Sequence, residues 1–291
     1  MNLIRYSIEG GAPAVGLLDG DRVLPLTSPS MGEFLSKSIY EIRAEINSTG
    51  AESVSLQEVA VLPPIDGRTE VWASGVTYLR SRESRMEESS QSRIYEQVYA
   101  AARPELFMKA PSWRVVPPAG RITIRSDSLL NIPEPELAVI ANAGGQVVGY
   151  CVSNDMSSRS IEAENPLYLP QAKIYDGSCV LSGGIALPGD SFDPMALTIS
   201  CTVERNGATV WSGMTSTDQM KRPVSVLLEY LFSHLQFPEG VVLSTGTGIV
   251  PPLDFSLLPM DRVAVDISGV GRIENEVALR SATATSPAEE L

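Results

Sequence analysis

The chain has 291 residues, 43% of them hydrophobic, and a formal charge of −13 at pH 7. Its isoelectric point is about 4.6. That length and apolar content suffice for one large domain, or for a large and a small one. So acidic a surface repels nucleic acid and anionic membranes, and neither is expected as a partner.

The opening MNLIRYSIEGG has no uninterrupted apolar segment, and no run in the chain is long enough to span a bilayer, so a cytoplasmic protein is expected. Residues 1–66 read as a small N-terminal α/β domain. LIRYSIEGGAPAVGLLDGDRVLPL gives short strands with Gly-Gly and Asp-Gly turns. MGEFLSKSIYEIRAEI has helical spacing, and VLPPIDGR reads as a linker. The rest, 67–291, reads as one sheet-rich body. EVWASGVTY is strand-like, and LRSRESRMEESSQSRIYEQVYAAAR predicts one charged helix of about 20 residues. From Pro104 onward short apolar runs alternate with turn signals, which predicts sheet. VERNGATVW is a hairpin turning at Asn206-Gly207, PVSVLLEYLFSHL is a helix with proline at its start, and VVLSTGTGIVPP is a strand entering a glycine-rich loop. The tail SATATSPAEEL is expected to fray. The fold class is therefore α+β and mostly β.

Cys151, Cys179 and Cys201 follow no metal-ligand spacing and sit in apolar stretches, as reduced buried thiols do. The one histidine, His234, falls near a helix C-terminus, where packing or the helix dipole accounts for it. A single histidine excludes a multi-histidine zinc site within one chain and disfavours a Ser-His-Asp triad. Acid–base chemistry then falls to Lys, Glu, Asp or Tyr.

PEPELAVIANAGGQVVGYCVSND carries three carboxylates at telling positions. If LAVIA and QVVGYCVS pair as antiparallel strands around a two-residue Gly144-Gly145 turn, Ala143 faces Gln146 and Glu134 faces Asp155. Glu136 shares the face of Glu134. Opposed side chains then lie roughly 5 Å apart and diagonal ones roughly 7 Å. Like charges so placed need arginines or a divalent cation, and all-oxygen donors favour Mg²⁺, with Mn²⁺ or Ca²⁺ as alternatives. Solvated glutamates at a strand end are the plainer reading of Glu-x-Glu taken alone, and a one-residue slip would turn Asp155 away. Lys173, in NPLYLPQAKIYDGS, is a surface lysine or, beside a cation and partly buried, a base whose pKa falls. Glu105 opens the apolar run of ARPELFMKA. Arg80, Arg82 and Arg85 follow GVTY, either as a solvated helix face or as lid residues that hold a substrate carboxylate. Ser81 and Ser84 are candidate polar contacts. Thr245 and Thr247 lie on the glycine-rich loop, where backbone N–H groups can face a ligand.

PEPELAVI, GYCVSNDMSSR, ENPLYLPQAKIYDGS and STGTGIVPP together resemble the fumarylacetoacetate hydrolase superfamily over roughly residues 70 to 275. The resemblance implies a mixed, roll-like β catalytic body and a Mg²⁺ held by Glu134, Glu136 and Asp155. It also implies assembly as a homodimer or homotetramer. Hydrolases and decarboxylases of the superfamily carry a lid histidine where this chain has Ser81. GVTYLRSRES, ARPELFMKA and ENPLYLPQAK are instead similar to 2-keto-3-deoxy-D-arabinonate (equivalently D-xylonate) dehydratases. That implies a small-molecule 2-keto acid substrate, Lys173 and Glu105 as catalytic pair, and Arg82, Ser81, Ser84 and Thr247 as substrate contacts. The implied reaction is enolate formation with β-elimination of the C4 hydroxyl, giving 2,5-dioxopentanoate. Ser160 and the stretch SCVLSGGIAL depart from the usual pattern near the expected pocket wall. A hydrolase, decarboxylase or isomerase of a related keto acid, and a non-catalytic metal- or ligand-binding protein, are the alternatives.

Overall fold

The computed structural model describes residues 1–50, 52–88 and 92–280. The chain opens with β1 (Asn2–Ile8), β2 (Ala14–Asp19), β3 (Arg22–Pro25), helices α1 (Met31–Ser36) and α2 (Ile39–Asn47), and β4 (Val54–Ser55) and β5 (Val59–Leu62). β6 (Glu70–Gly75) leads into α3 (Leu79–Glu88) and α4 (Ser92–Ala100), then β7 (Glu105–Pro111), β8 (Ile122–Arg125) and β9 (Asn131–Ile132). β10 (Pro135–Ala141) and β11 (Val147–Asp155) precede β12 (Ser157–Ser158), α5 (Arg159–Glu164) and α6 (Leu169–Lys173). β13 (Cys179–Leu181), β14 (Gly184–Ala186), β15 (Thr198–Arg205), β16 (Ala208–Ser216), α7 (Val224–Phe232), β17 (Val241–Ser244), β18 (Arg262–Ile267) and β19 (Gly271–Arg280) complete the fold.

One large mixed sheet runs β4-β3-β2-β1-β14-β11-β10-β17-β6-β7, and a second runs β16-β15-β18-β19-β8. The mostly β body matches the sequence reading. β1 pairs with β14, so the sheet of the first 66 residues continues into that of the body. Pleating puts Leu137 and Val139 of β10 between the two sheets, with Ile199, Val203 and Val263. The opposite face of β10, at Ala138 and Ile140, packs with Leu17, Phe34 and Leu35 of the N-terminal elements.

The β10–β11 hairpin has the expected register along most of its length, Pro135 facing Asn154 and Glu136 facing Ser153. It gets there by another route. The loop has three residues, because the Asn142 N–H bonds to the Gln146 carbonyl at 3.0 Å. Gly145 supplies the left-handed φ of 75° that closes it. A bulge at Val148 then inserts one residue into β11, where Ile140 faces Gly149 but Ala141 faces Val147. The two one-residue shifts offset each other.

The predicted charged helix is two helices, α3 and α4, and the residues between them lie outside the described ones, as does the tail from 281. The hairpin at Asn206-Gly207 forms with both residues at positive φ, 53° and 77°. His234 lies beyond the end of α7 and is exposed, not packed. The three cysteines are buried and free. Among the described residues no helix is long and apolar enough to cross a membrane.

Candidate active site

Glu134, Glu136 and Asp155 converge as the register requires. Each offers an oxygen within 4.8 Å of the others, and all three are buried. The Asp155 N–H bonds to the Glu134 carbonyl at 2.9 Å, so the pairing reaches the strand ends. Two carboxylates about 4 Å apart repel by about 4 kcal/mol at an effective dielectric constant of about 20, so the trio needs cations nearby.

Two lysines and an arginine meet that need. The Lys173 ammonium donates to Glu134 Oε2 at 2.7 Å, Asp155 Oδ2 at 3.0 Å and Ser157 Oγ at 2.5 Å. Lys109 pairs with Asp155 Oδ1 and donates to the carbonyls of Met156, at 3.0 Å, and Lys173, at 2.5 Å. Arg85 of α3 reaches Glu134 Oε1 at 2.7 Å and also pairs with Glu162 of α5. Burial works against a charged Glu134, yet Lys173 and Arg85 outweigh it and hold its carboxyl down at about 2. Glu136 accepts the Gly246 N–H at 2.8 Å. Burial, then Asp155 and Glu134, push its carboxyl well up.

The sequence reading expected the Lys173 pKa to fall beside a bound cation. Among the protein groups alone it is raised: burial favours loss of the proton, but the charges of Asp155 and Glu134 prevail. Glu105, at the start of β7, abuts Gly75, where an added Cβ would meet its Oε2 at 2.2 Å. Burial, then the charge of Glu162, raise its pKa against Arg85 and Lys173.

A narrow cavity joins these groups, lined also by Ser81, Tyr95, Phe107, Leu169 and Thr247. Its free space is about 20 Å³, room for one water molecule. The expected substrate contacts therefore divide. Ser81 and Thr247 line the cavity, and Thr247 Oγ also accepts the Ile249 N–H at 3.1 Å. Arg82 does not: its guanidinium lies 5.1 Å from the Tyr99 ring of α4. Ser84 is buried but outside the lining, and Arg80 is exposed. Thr245 bonds to the Leu137 carbonyl at 2.9 Å and braces the strand. Ser160 turns from the cavity to Ser128 Oγ, 2.9 Å away.

Two lining or bracing groups, Glu162 and Lys109, escaped the sequence reading, whereas Arg85 was named there together with Arg80 and Arg82. Lys109 occupies a bulge in β7, where Val71 faces Ala110 and Trp72 faces Met108. The bulge re-aims its side chain to Asp155.

All-oxygen donors, buried and convergent, fit a hard divalent cation far better than a soft one. The comparisons with known proteins agree with this class of site. Residues 70–278 match the family described as "Fumarylacetoacetate (FAA) hydrolase C-terminal". The chain belongs to the fumarylacetoacetate hydrolase family. Among its relatives, a Haloferax volcanii protein described as "Probable 2-keto-3-deoxyxylonate dehydratase" is 45% identical over 74% of this chain and 73% of its own. The 2-dehydro-3-deoxy-D-arabinonate dehydratase of Saccharolobus solfataricus is 39% identical over 96% of this chain and 97% of its own. A solved structure of 2-keto-3-deoxy-D-arabinonate dehydratase complexed with magnesium and 2,5-dioxopentanoate superposes with a TM-score of 0.83. It is 31% identical and covers 97% of this chain and 100% of that one.

Proposed function

We propose that the protein is a Mg²⁺-dependent hydro-lyase that converts 2-keto-3-deoxy-D-arabinonate (D-xylonate) to 2,5-dioxopentanoate. The observation that carries this reading is the buried trio Glu134, Glu136 and Asp155 in one cavity with Lys173 and a Glu105 whose carboxyl is pushed up. The likeness to dehydratases along almost the whole chain supports it.

Glu134, Glu136 and Asp155 would hold the ion. When bound, it would polarise the substrate's C2 ketone and offset the carboxylate charge that keeps Lys173 protonated. Lys173 then takes a C3 proton, and Glu105, whose carboxyl burial pushes up, gives its proton to the departing C4 hydroxyl. Arg85, beside the cavity, replaces Arg82 as the cation for the substrate carboxylate. The free space is too small for a five-carbon acid, so α3 and α4 must shift to admit it. A cytoplasmic enzyme working as a homodimer or homotetramer completes the reading.

The test is product analysis by NMR across a panel of 2-keto acids with Mg²⁺. The reading predicts 2,5-dioxopentanoate from 2-keto-3-deoxy-D-pentonate, with neither pyruvate nor CO₂. Release of either, or no turnover of this acid beside turnover of another, would contradict it.

A further inference from the structure

Glu105 is not alone: a second carboxylate outside the ligand trio lines the cavity. Glu162, on α5, is 5% exposed and shares the lining with Glu105, Lys173 and Tyr95. Its counter-charge is Arg85, whose other nitrogen holds Glu134 at 2.7 Å. Burying a carboxylate is costly and is expected to carry a function or a packing reason. Arg85 supplies a packing reason, but the elimination above gives Glu162 no chemical role.

That reaction is also unfinished at the elimination. Loss of the C3 proton and C4 hydroxyl gives 5-hydroxy-2-oxopent-3-enoate, which is an isomer of 2,5-dioxopentanoate. Conversion requires removal of a proton from C5, two carbons along from the C3 deprotonated in the elimination. Resting on the dehydratase reading, we infer that Glu162 is a further catalytic residue, the base that removes the C5 proton of the elimination product. The C5–H electrons form C5=C4, the C4=C3 pair moves to C3=C2, and the C2 carbonyl pair moves onto oxygen. The C5 hydroxyl then loses its proton as C5=O forms and C4 takes a proton. Protonation at C3 restores the ketone. Two protons leave, from C5 and its oxygen, and two arrive, at C4 and C3, so no co-reactant is needed.

The arrangement favours Glu162 over Glu105. Burial and the neighbouring Glu162 charge favour the protonated form of Glu105, which suits an acid that must be reset after each elimination. Glu162 sits against the Arg85 guanidinium, which favours the ionised carboxylate that a base needs. Two carboxylates in one cavity with opposed surroundings divide acid from base.

The experiment supplies 5-hydroxy-2-oxopent-3-enoate directly, and 2-keto-3-deoxy-D-pentonate in parallel, to wild type, Glu162→Gln and Glu105→Gln, with Mg²⁺, followed by NMR. In Glu162→Gln, aldehyde formation from the enone should fall about 100-fold or more. The same variant should still consume the keto acid and accumulate vinylic product, which a merely misfolded protein would not do. Undiminished aldehyde formation by Glu162→Gln overturns the inference. So does loss of enone isomerisation in Glu105→Gln with retention in Glu162→Gln. If Glu162→Gln does not fold, Glu162→Asp replaces it and must slow the enone step more than the elimination; equal slowing overturns the inference. A wild type that makes neither enone nor aldehyde from the keto acid refutes the dehydratase reading itself, a result separable from the variants.

Discussion

Single residues decide how this site is charged and how closely its parts approach. Gly75 shows the second point. An added Cβ there would lie 2.2 Å from Glu105 Oε2, and Gly75 is not among the positive-φ residues. Gly75→Ala should therefore leave the fold near wild type and push Glu105 off its position. A turnover loss of about tenfold or more is expected, since an acid displaced by about 1 Å loses its geometry. Kinetics beside a thermal melt check it; full activity would show that Glu105 is not placed by this contact. What the sequence revealed at this scale follows from chemistry. Glu134, Glu136 and Asp155 were legible because strand alternation fixes which side chains share a face. Lys109 was not, because period-two counting fails at the bulge it occupies. The Lys173 expectation counted burial and a bound cation, and only the distances show Asp155 and Glu134 near enough to outweigh burial among the protein groups.

Elements hold the site from behind. The face of β10 that carries Glu134 and Glu136 continues into Ala138 and Ile140, which pack on Phe34 and Leu35 of α1. A buried network keeps these N-terminal helices in place. Glu45 of α2 accepts from the Ser28 N–H at 2.7 Å, Ser28 Oγ at 2.8 Å, Thr27 Oγ1 at 2.9 Å and Lys37 Nζ at 2.8 Å. Burial opposes its charge, but the bonds from Lys37, Ser28 and Thr27 prevail and hold it at about 2, below its ordinary 4.5. A depressed folded-state pKa stabilises above 4.5, and that stability is lost as pH falls from 4.5 toward about 2. Glu45→Gln should cost about 1.5–3 kcal/mol at pH 7. In urea titrations the gap to wild type should narrow below pH 4.5, and a pH-independent gap would contradict this origin. Turn signals and a linker composition describe local chain, so they could not show the β1–β14 pairing, which joins residues distant in sequence. The hairpin register was read correctly while its loop was not, since the Val148 bulge offsets the extra loop residue.

At the scale of the molecule the puzzle is how an acidic protein attracts an acid. The surface charge of −13 opposes it. In the cavity and its walls, however, Glu134, Glu136, Asp155 and Glu162 are met by Lys109, Lys173, Arg85 and Arg159. Opposite charges nearly cancel, so a divalent ion would tip the site positive and favour a monocarboxylate within a water-poor cavity. Composition could not show this, because the cations that matter are a small buried subset of the chain's charges. Arg82 and its neighbour Lys221 instead flank the Tyr99 ring, 5.1 Å and 4.3 Å away, and Arg222 donates to the Val98 carbonyl at 3.1 Å. These contacts anchor the end of α4. Every step rests on a hard cation held by the carboxylate trio. The most direct measurement is turnover of 2-keto-3-deoxy-D-pentonate by protein stripped with EDTA and then titrated with Mg²⁺. The account predicts that stripping abolishes formation of 2,5-dioxopentanoate and that Mg²⁺ restores it saturably; undiminished conversion by the stripped protein would contradict it.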